Sequence, residues 1–516
     1  MRSILTVAIL AAALPAGAAE LRFATTSDPN TLDPNAGNSA PVFSLLGNVY
    51  EGLVRRGRGM EIEPALATAW EPIDGGAGWR FTLREGVKFH GGEDFTAEDV
   101  LFSYERASSE QSDTSSWFAG VDRVEIVDPT TVEFYTETPN PIFVDGIANW
   151  MMMDQGWAET NGAERPNIEQ GNFATLNANG TGPYRITERQ PGLKTELEAF
   201  DGWWGEDRGN VTSVVYTPVQ NSATAVAALL SGELDLIEPV PLQDVRRVAD
   251  ADGVDTIQGI EARVIMLGFP HDADALIAGG EGNPFADVRV RQAVAKAINV
   301  PAILQTVMRG SAEQATQLIG PGLRGFSEAV GPTEYDPEGA KALLAEAGYG
   351  DGFAFSFKCT NDRYLNDEAV CTAINTMLAQ VGLKPLFETM PVANYWPALR
   401  AEDHDMYLLG WSPGTFDAEH PIRFLLATPD EEAKLGSWNF GGYSNARVDE
   451  LLPQIQAEID ETARQAMIDE LVQITSDEMA YVPLYIQPLV WGVKAGMEVV
   501  QRPDNFLVLR WIEMPE

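Results

Sequence analysis

Between Tyr407 and Pro421 the chain reads Tyr-Leu-Leu-Gly-Trp-Ser-Pro-Gly-Thr-Phe-Asp-Ala-Glu-His-Pro. A short apolar run breaks at Gly410, and one turn-rich loop then carries Trp411, Ser412, Thr415, Phe416, Asp417, Glu419 and His420. Aromatic faces supply contact area while hydroxyls and a carboxylate supply orientation, the make-up of a pocket for a small organic molecule. A buried strand that ends in such a loop delivers its side chains to the carboxyl edge of a sheet, where α/β proteins hold ligands. The same loop also reads as a surface turn in which Trp411 fills a gap. The rest of the chain has to decide between the two.

Other chemistry is sparse. Histidine occurs only at positions 90, 271, 404 and 420, with no HExxH and no CxxC, so neither a metal nor a cofactor is expected. No GxxxxGK[ST] phosphate loop is present. A secreted hydrolase is the remote alternative; no G-x-S-x-G elbow is expected and no histidine is placed near a nucleophile, so no catalytic residue is assigned. Cys359 and Cys371 are the two cysteines. In an oxidising compartment they are expected to form a disulfide from a strand end to the following helix, contributing roughly 3 kcal/mol; two buried thiols are the alternative.

The first nineteen positions read as an export signal: Arg2, an apolar run from Ile4 to Leu14, and the small residues Ala16 to Ala19, with cleavage after Ala18 or Ala19. The apolar run is too short to span a bilayer, and the absence of cysteine at the cleavage site argues against a lipid anchor. A soluble periplasmic protein without membrane insertion is expected. The remainder is longer than one hydrophobic core normally serves, so at least two lobes are expected. The formal charge of −41, from 76 acidic against 35 basic residues, argues against nucleic acid or an anionic membrane surface as partner.

Elements follow from periodicity and punctuation. Leu21–Thr25 reads as a strand and Val42–Tyr50 as a helix. Short β segments follow at 79–83, 87–89, 124–127 and 132–134, interrupted by a helix that opens at Thr96-Ala97-Glu98-Asp99 in the pattern of a capping box. This is an α+β insertion. Strands at 180–186, 214–216 and 235–237 flank a helix from Asn221 to Gly232 and mark a larger α/β lobe. From Arg263–Gly268 a second lobe begins. Its helices start at Asp287, Asn299, Asp336, Asp367, Asn445 and Thr462, and its strands lie at 353–358, 384–388 and from Tyr407. The apolar segments 482–486 and 506–509 return to β text resembling the opening lobe. More than one crossing between lobes suits a cleft that closes on a ligand.

Several of these stretches together resemble a known family. Leu32-Asp33-Pro34, Val49–Val54, Pro64–Ala67, Phe81–His90, Thr96–Val100, Thr181–Tyr184, Asp287–Ala293, Gly410-Trp411 and Tyr443-Ser444-Asn445 are similar in kind and order to solute-binding protein family 5. These are the periplasmic peptide- and nickel-binding components of ABC importers. The resemblance covers essentially the whole mature chain. It implies a bilobal α/β periplasmic-binding-protein fold with a small domain inserted in the first lobe. The expected division is 20–54, 181–261 and 483–516 for the first lobe, 55–180 for the insertion, and 262–482 for the second lobe. It implies a monomer that captures a small solute and delivers it to the transmembrane permease subunits.

A short peptide or peptide-like carboxylate is the expected ligand, with an oligosaccharide, an opine-like conjugate or a metal chelate as rivals. In peptide-binding members an Asp three positions after Gly-Trp holds the ligand amine. That position is Gly414 here, and Asp417 is the nearest carboxylate. Arg363, followed by Tyr364, matches an Arg that pairs with the ligand carboxylate, and a bidentate guanidinium suits that role. Ser27 and Thr31 read as hydroxyl donors or as turn caps, and Trp150 as a stacking surface or a core residue. Trp438 and Asn439 sit in a Gly-rich loop, and Tyr485 at the return crossing. His90 is assigned a structural role, and His420 is kept only as a ligand to a bound chelate.

Overall fold

Two long strands, Val254–Gly268 and Val482–Lys494, lie antiparallel at the middle of an eleven-stranded sheet. The computed structural model describes residues 19–167, 169–279 and 282–515, so most of the expected leader falls outside the described residues. On one side of the central pair the sheet continues through Met406–Trp411, Ala354–Thr360 and Lys384–Met390. On the other it continues through Leu236–Glu238, Ala19–Thr25, Val211–Pro218, Lys194–Ala199 and Tyr184–Gln190. The central strand Val482–Lys494 is an almost unbroken apolar run covered on both faces, as a central strand requires.

The register shows what this sheet is for. Leu236–Glu238 and Ala19–Thr25 run parallel, and Leu236 and Ile237 pair with Val493 and Gly492 of the returning strand. Met406–Trp411 pairs antiparallel with Val254–Gly268, Trp411 opposite Val264. Both halves therefore aim strand carboxyl ends at one short stretch of the central pair. There the ladder slips: Ile260 opposes Pro488 and Val264 opposes Ile486, so Glu261, Ala262 and Arg263 face Gln487 alone. Such a bulge bends the strand and re-aims side chains. The two halves are lobes joined at this crossing.

A separate four-stranded antiparallel sheet, in spatial order Ala67–Ile73, Gly78–Leu83, Thr131–Thr136, Val121–Asp128, carries the helix Ala97–Ala107. Thr96 and Asp99 cap that helix reciprocally, Thr96 donating from its amide to the Asp99 carboxylate at 2.8 Å. Its core is Phe81, Phe118, Phe134, Phe143 and Trp150. Glu51 joins the first-lobe stretch before this body to the one after it, accepting from Thr181 and from the indoles of Trp203 and Trp204.

Helix starts fall where the sequence places them: Asn221, Asp287, Asn299, Asp336 and Asn445 each accept a backbone N–H in the first turn. Three local expectations need correction. Phe506–Leu509 is not a strand; its amides at Leu507 and Leu509 donate to Ser44 and Asn48 side chains instead of a ladder. Residues 87–89 make only one isolated bridge, Lys88 with Asp94. The helix near Val42–Tyr50 stops at Leu46, and Gly47 takes the cap.

Candidate functional site

The cleft wall of the second lobe is built by the ends of two strands. Met406–Trp411 brings Trp411 to the edge, where its indole N–H donates to His420 Nδ1 at 3.1 Å. Its ring packs on Phe424 and Trp438, each with centroids 5.7 Å away, and Trp396 and Phe440 continue the aromatic surface. Ser412 follows, half-buried, beside the Arg263 bulge. Ala354–Thr360 leads into Asp362-Arg363-Tyr364. The Tyr364 hydroxyl accepts from the Gly410 amide at 2.9 Å, which locks the two strand ends together. Asp367 organises the turn by accepting the amides of Arg363 and Tyr364 and the Thr360 hydroxyl. The Cys359–Cys371 disulfide fastens the strand end to the Asp367–Gln380 helix. Arg363 is exposed above this frame, its guanidinium over the Tyr364 ring, without an ion-pair partner among the described residues.

The first lobe reaches the crossing from the other side of the central strand pair. Ser27 is exposed just past the first strand, its carbonyl accepting from the hydroxyls of Thr25 and Tyr216. Glu238 ends the neighbouring strand, paired in register with Thr25. At the crossing, Gln487 donates to Glu261 at 2.6 Å and accepts from the Leu365 amide, while Arg263 pairs with Glu261 at 3.0 Å. Glu238, Glu261, Arg263 and Gln487 were not legible as site residues. The available signal was a polar residue at the end or middle of an otherwise apolar strand, as in Leu236-Ile237-Glu238 and Ile486-Gln487-Pro488.

Several expected site residues lie elsewhere or are already committed. Trp150 is fully buried in the small-domain core, edge-on to Phe118 and Phe134, and presents no face to a ligand. Thr31 is buried and its hydroxyl accepts from the Asp33 amide, the turn-capping alternative. Asn439 spends its side chain on Ala427 and Tyr443. Tyr485 is wholly buried between strands, with a hydroxyl that has no partner among the described residues. Thr415 and Phe416 turn toward a different interlobe contact: Arg56 donates to the Thr415 carbonyl at 2.8 Å and lies 4.7 Å over the Phe416 ring. A cavity of about 440 Å³ lies beside it, lined by Arg56, Trp79, Asp145, Arg324 and Phe416. Asp417 has no exposure and forms a bidentate pair with Arg464 at 2.7 and 2.9 Å. It is unavailable to a ligand amine.

Against the expectation that no G-x-S-x-G elbow is present, residues Gly410 to Gly414 spell that pattern. In a hydrolase elbow the turn enters a helix directly and the serine meets a histidine. Here Pro413 follows in a non-helical turn, His420 Nδ1 is held by Trp411, and Ser412 makes no hydrogen bond to a histidine among the described residues. Burial lowers the His420 pKa to about 4. Among the described residues no cluster of three or more His, Cys, Asp or Glu is arranged for a metal, and no helix is long and apolar enough to cross a membrane.

Comparison with known proteins agrees with this architecture. The family described as bacterial extracellular solute-binding proteins, family 5, matches residues 61–432. The glutathione-binding protein GsiB of Shigella dysenteriae is 26% identical over 495 residues, covering 94% of this chain and 92% of the relative. The structure of HbpA2 from Haemophilus parasuis superposes with a TM-score of 0.84 at 21% identity, covering 96% of this chain and 100% of that one. The periplasmic binding protein DppA from Helicobacter pylori, solved with the peptide STSA, gives a TM-score of 0.76 at 23% identity, covering 97% and 99%. The chain belongs to family 5 of the bacterial extracellular solute-binding proteins.

Proposed function

We propose that this chain works in the periplasm as the substrate-binding component of an ABC importer, capturing a short peptide or peptide-like carboxylate and passing it to the permease as a monomer. The observation that carries this reading is the convergence of strand ends from both lobes on the bulged crossing, with Arg363 beside it, without an ion-pair partner among the described residues. A ligand that touches both walls favours the closed form by its differential contacts; one that touches a single lobe shifts nothing. Arg363 is the anchor for the ligand carboxylate, and Trp411, Ser412 and Tyr364 shape the floor beside it. The names of relatives support the ligand class: glutathione in one case and the peptide STSA in another. The lobes divide as 20–54, 181–261 and 483–516 against 262–482, with 55–180 inserted; the slip opposite Gln487 supports moving the return a few residues later.

The aromatic surface of Trp411, Trp438 and Trp396 favours a sugar as the second reading, since flat rings suit pyranose faces. A thermal-shift screen of refolded, ligand-stripped protein separates the two. A ligand at 100 times its dissociation constant adds about 2.7 kcal/mol of stability. Shifts with dipeptides, tripeptides or glutathione that disappear in Arg363→Ala are expected. Shifts only with oligosaccharides, opines or nickel–histidine would overturn the peptide reading. Esterase and peptidase substrates are expected to show no turnover in the same preparation.

A further inference from the structure

We infer that Glu238 is the residue that holds the ligand's ammonium group. This rests on the peptide reading above, because a free amine is what the peptide contributes. The other carboxylates near the crossing are already engaged. Asp417 is paired with Arg464, Asp28 with Arg189, Asp367 with three donors of its own turn, and Glu261 with Arg263 and Gln487.

Glu238 differs from all of these. One oxygen, Oε1, accepts from Asn505 at 2.5 Å, and Asn505 is in turn held by the Trp491 indole at 2.9 Å, so the carboxyl group is oriented by a neutral chain. Oε2 has no hydrogen-bond partner, and no Lys or Arg pairs with the group, among the described residues. It stands at the carboxyl end of its strand, level with Thr25 and two strand positions from Leu236, and close enough to Glu261 of the crossing strand to feel its charge. The titratable groups that face it are Glu261 from the crossing strand and Tyr216 from the far side of the first strand. Neither brings positive charge. A half-buried carboxylate beside a second carboxylate is costly to ionise, and desolvation, with help from Glu261, pushes its pKa up to about 7. An arriving ammonium supplies the missing counter-charge and a donor for Oε2. Arg363 of the second lobe takes the carboxylate, so one zwitterion bridges the lobes.

The sign of the pH effect follows. In the free protein Glu238 is protonated below about pH 7; in the complex it must be ionised, so binding a free amine releases a proton there and weakens as the pH falls. Calorimetric titration of the full, ligand-stripped chain with Ala-Leu and with glutathione, each free and N-acetylated, at pH 7.5 and pH 5.5, tests this in wild type, Glu238→Gln and Glu238→Asp. Wild type is expected to prefer the free amine by tenfold or more at pH 7.5 and to lose about tenfold at pH 5.5. Glu238→Gln is expected to abolish both the preference and its pH dependence, and Glu238→Asp to keep the pH dependence with a smaller preference. An amine preference that survives in Glu238→Gln would overturn the assignment while leaving peptide binding in place. Absence of heat with either free peptide in folded wild type would remove the peptide reading and the assignment with it.

Discussion

Asp417 and Glu238 carry the same functional group but face different surroundings. Asp417 lies in a loop rich in pocket-like residues, yet both its oxygens bind the Arg464 guanidinium with no exposure to solvent. Removing one partner of a buried pair strands the other charge, so Asp417→Asn is expected to lower stability by about 3–5 kcal/mol in urea unfolding. The folded fraction is expected to keep its peptide-induced thermal shift; loss of that shift at full folding would return Asp417 to the ligand site. His271 offers a second test at this scale. Burial and the Arg291 charge hold it neutral, with a pKa lowered to about 4, whereas an unfolded histidine titrates near 6.5. The unfolded chain therefore binds the extra proton between those values, and this contribution to stability is present above about pH 6.5 and lost as the pH falls toward 4. His271→Gln is expected to lose less stability than wild type between pH 7 and pH 5 in thermal melts. Equal slopes would contradict the buried neutral state.

The elements that matter most are the two crossing strands, and they were the hardest to read. Val254–Gly268 contains Glu261 and Arg263, and Val482–Lys494 contains Pro483, Gln487 and Pro488, so periodicity breaks both into fragments. Only tertiary pairing shows that each is one strand and that the break is the bulge. Helix caps were legible because the capping interaction is local, three residues from side chain to amide. The small-domain helix was legible for the same reason. Lys194–Ala199 reads Lys-Thr-Glu-Leu-Glu-Ala, with Leu197 its single large apolar residue, so it carries little hydrophobic signal and is recognisable only beside its neighbours. Trp150 illustrates the reverse problem: a large aromatic residue after a β segment has the same composition whether it faces a ligand or a core. The disulfide was legible because its two residues are twelve apart between a strand and a helix. Converting Cys359 and Cys371 together to Ser is expected to cost about 3 kcal/mol in reversible unfolding. Because it also frees the strand end that carries Arg363, peptide affinity is expected to fall as well. An unchanged midpoint would show that the cross-link adds nothing to this frame.

At the scale of the whole molecule the surplus of 41 negative charges is spread over the surface and opposes compaction. Salt screens that repulsion over about 10 Å at 0.1 M, so the melting temperature is expected to rise between 10 mM and 0.5 M sodium chloride. A flat response would mean that local ion pairs already neutralise the field. The same molecule is two lobes on a bulged double crossing, and the function proposed for it requires one ligand to bridge them. Small-angle X-ray scattering of ligand-stripped protein, titrated with whichever of Ala-Leu and glutathione gives the larger thermal shift, measures that bridging directly. A radius of gyration that falls and saturates at one peptide per chain, and that fails to fall in Arg363→Ala, is the expected result. Saturating peptide with no change in the radius of gyration would contradict closure on a ligand held between the lobes.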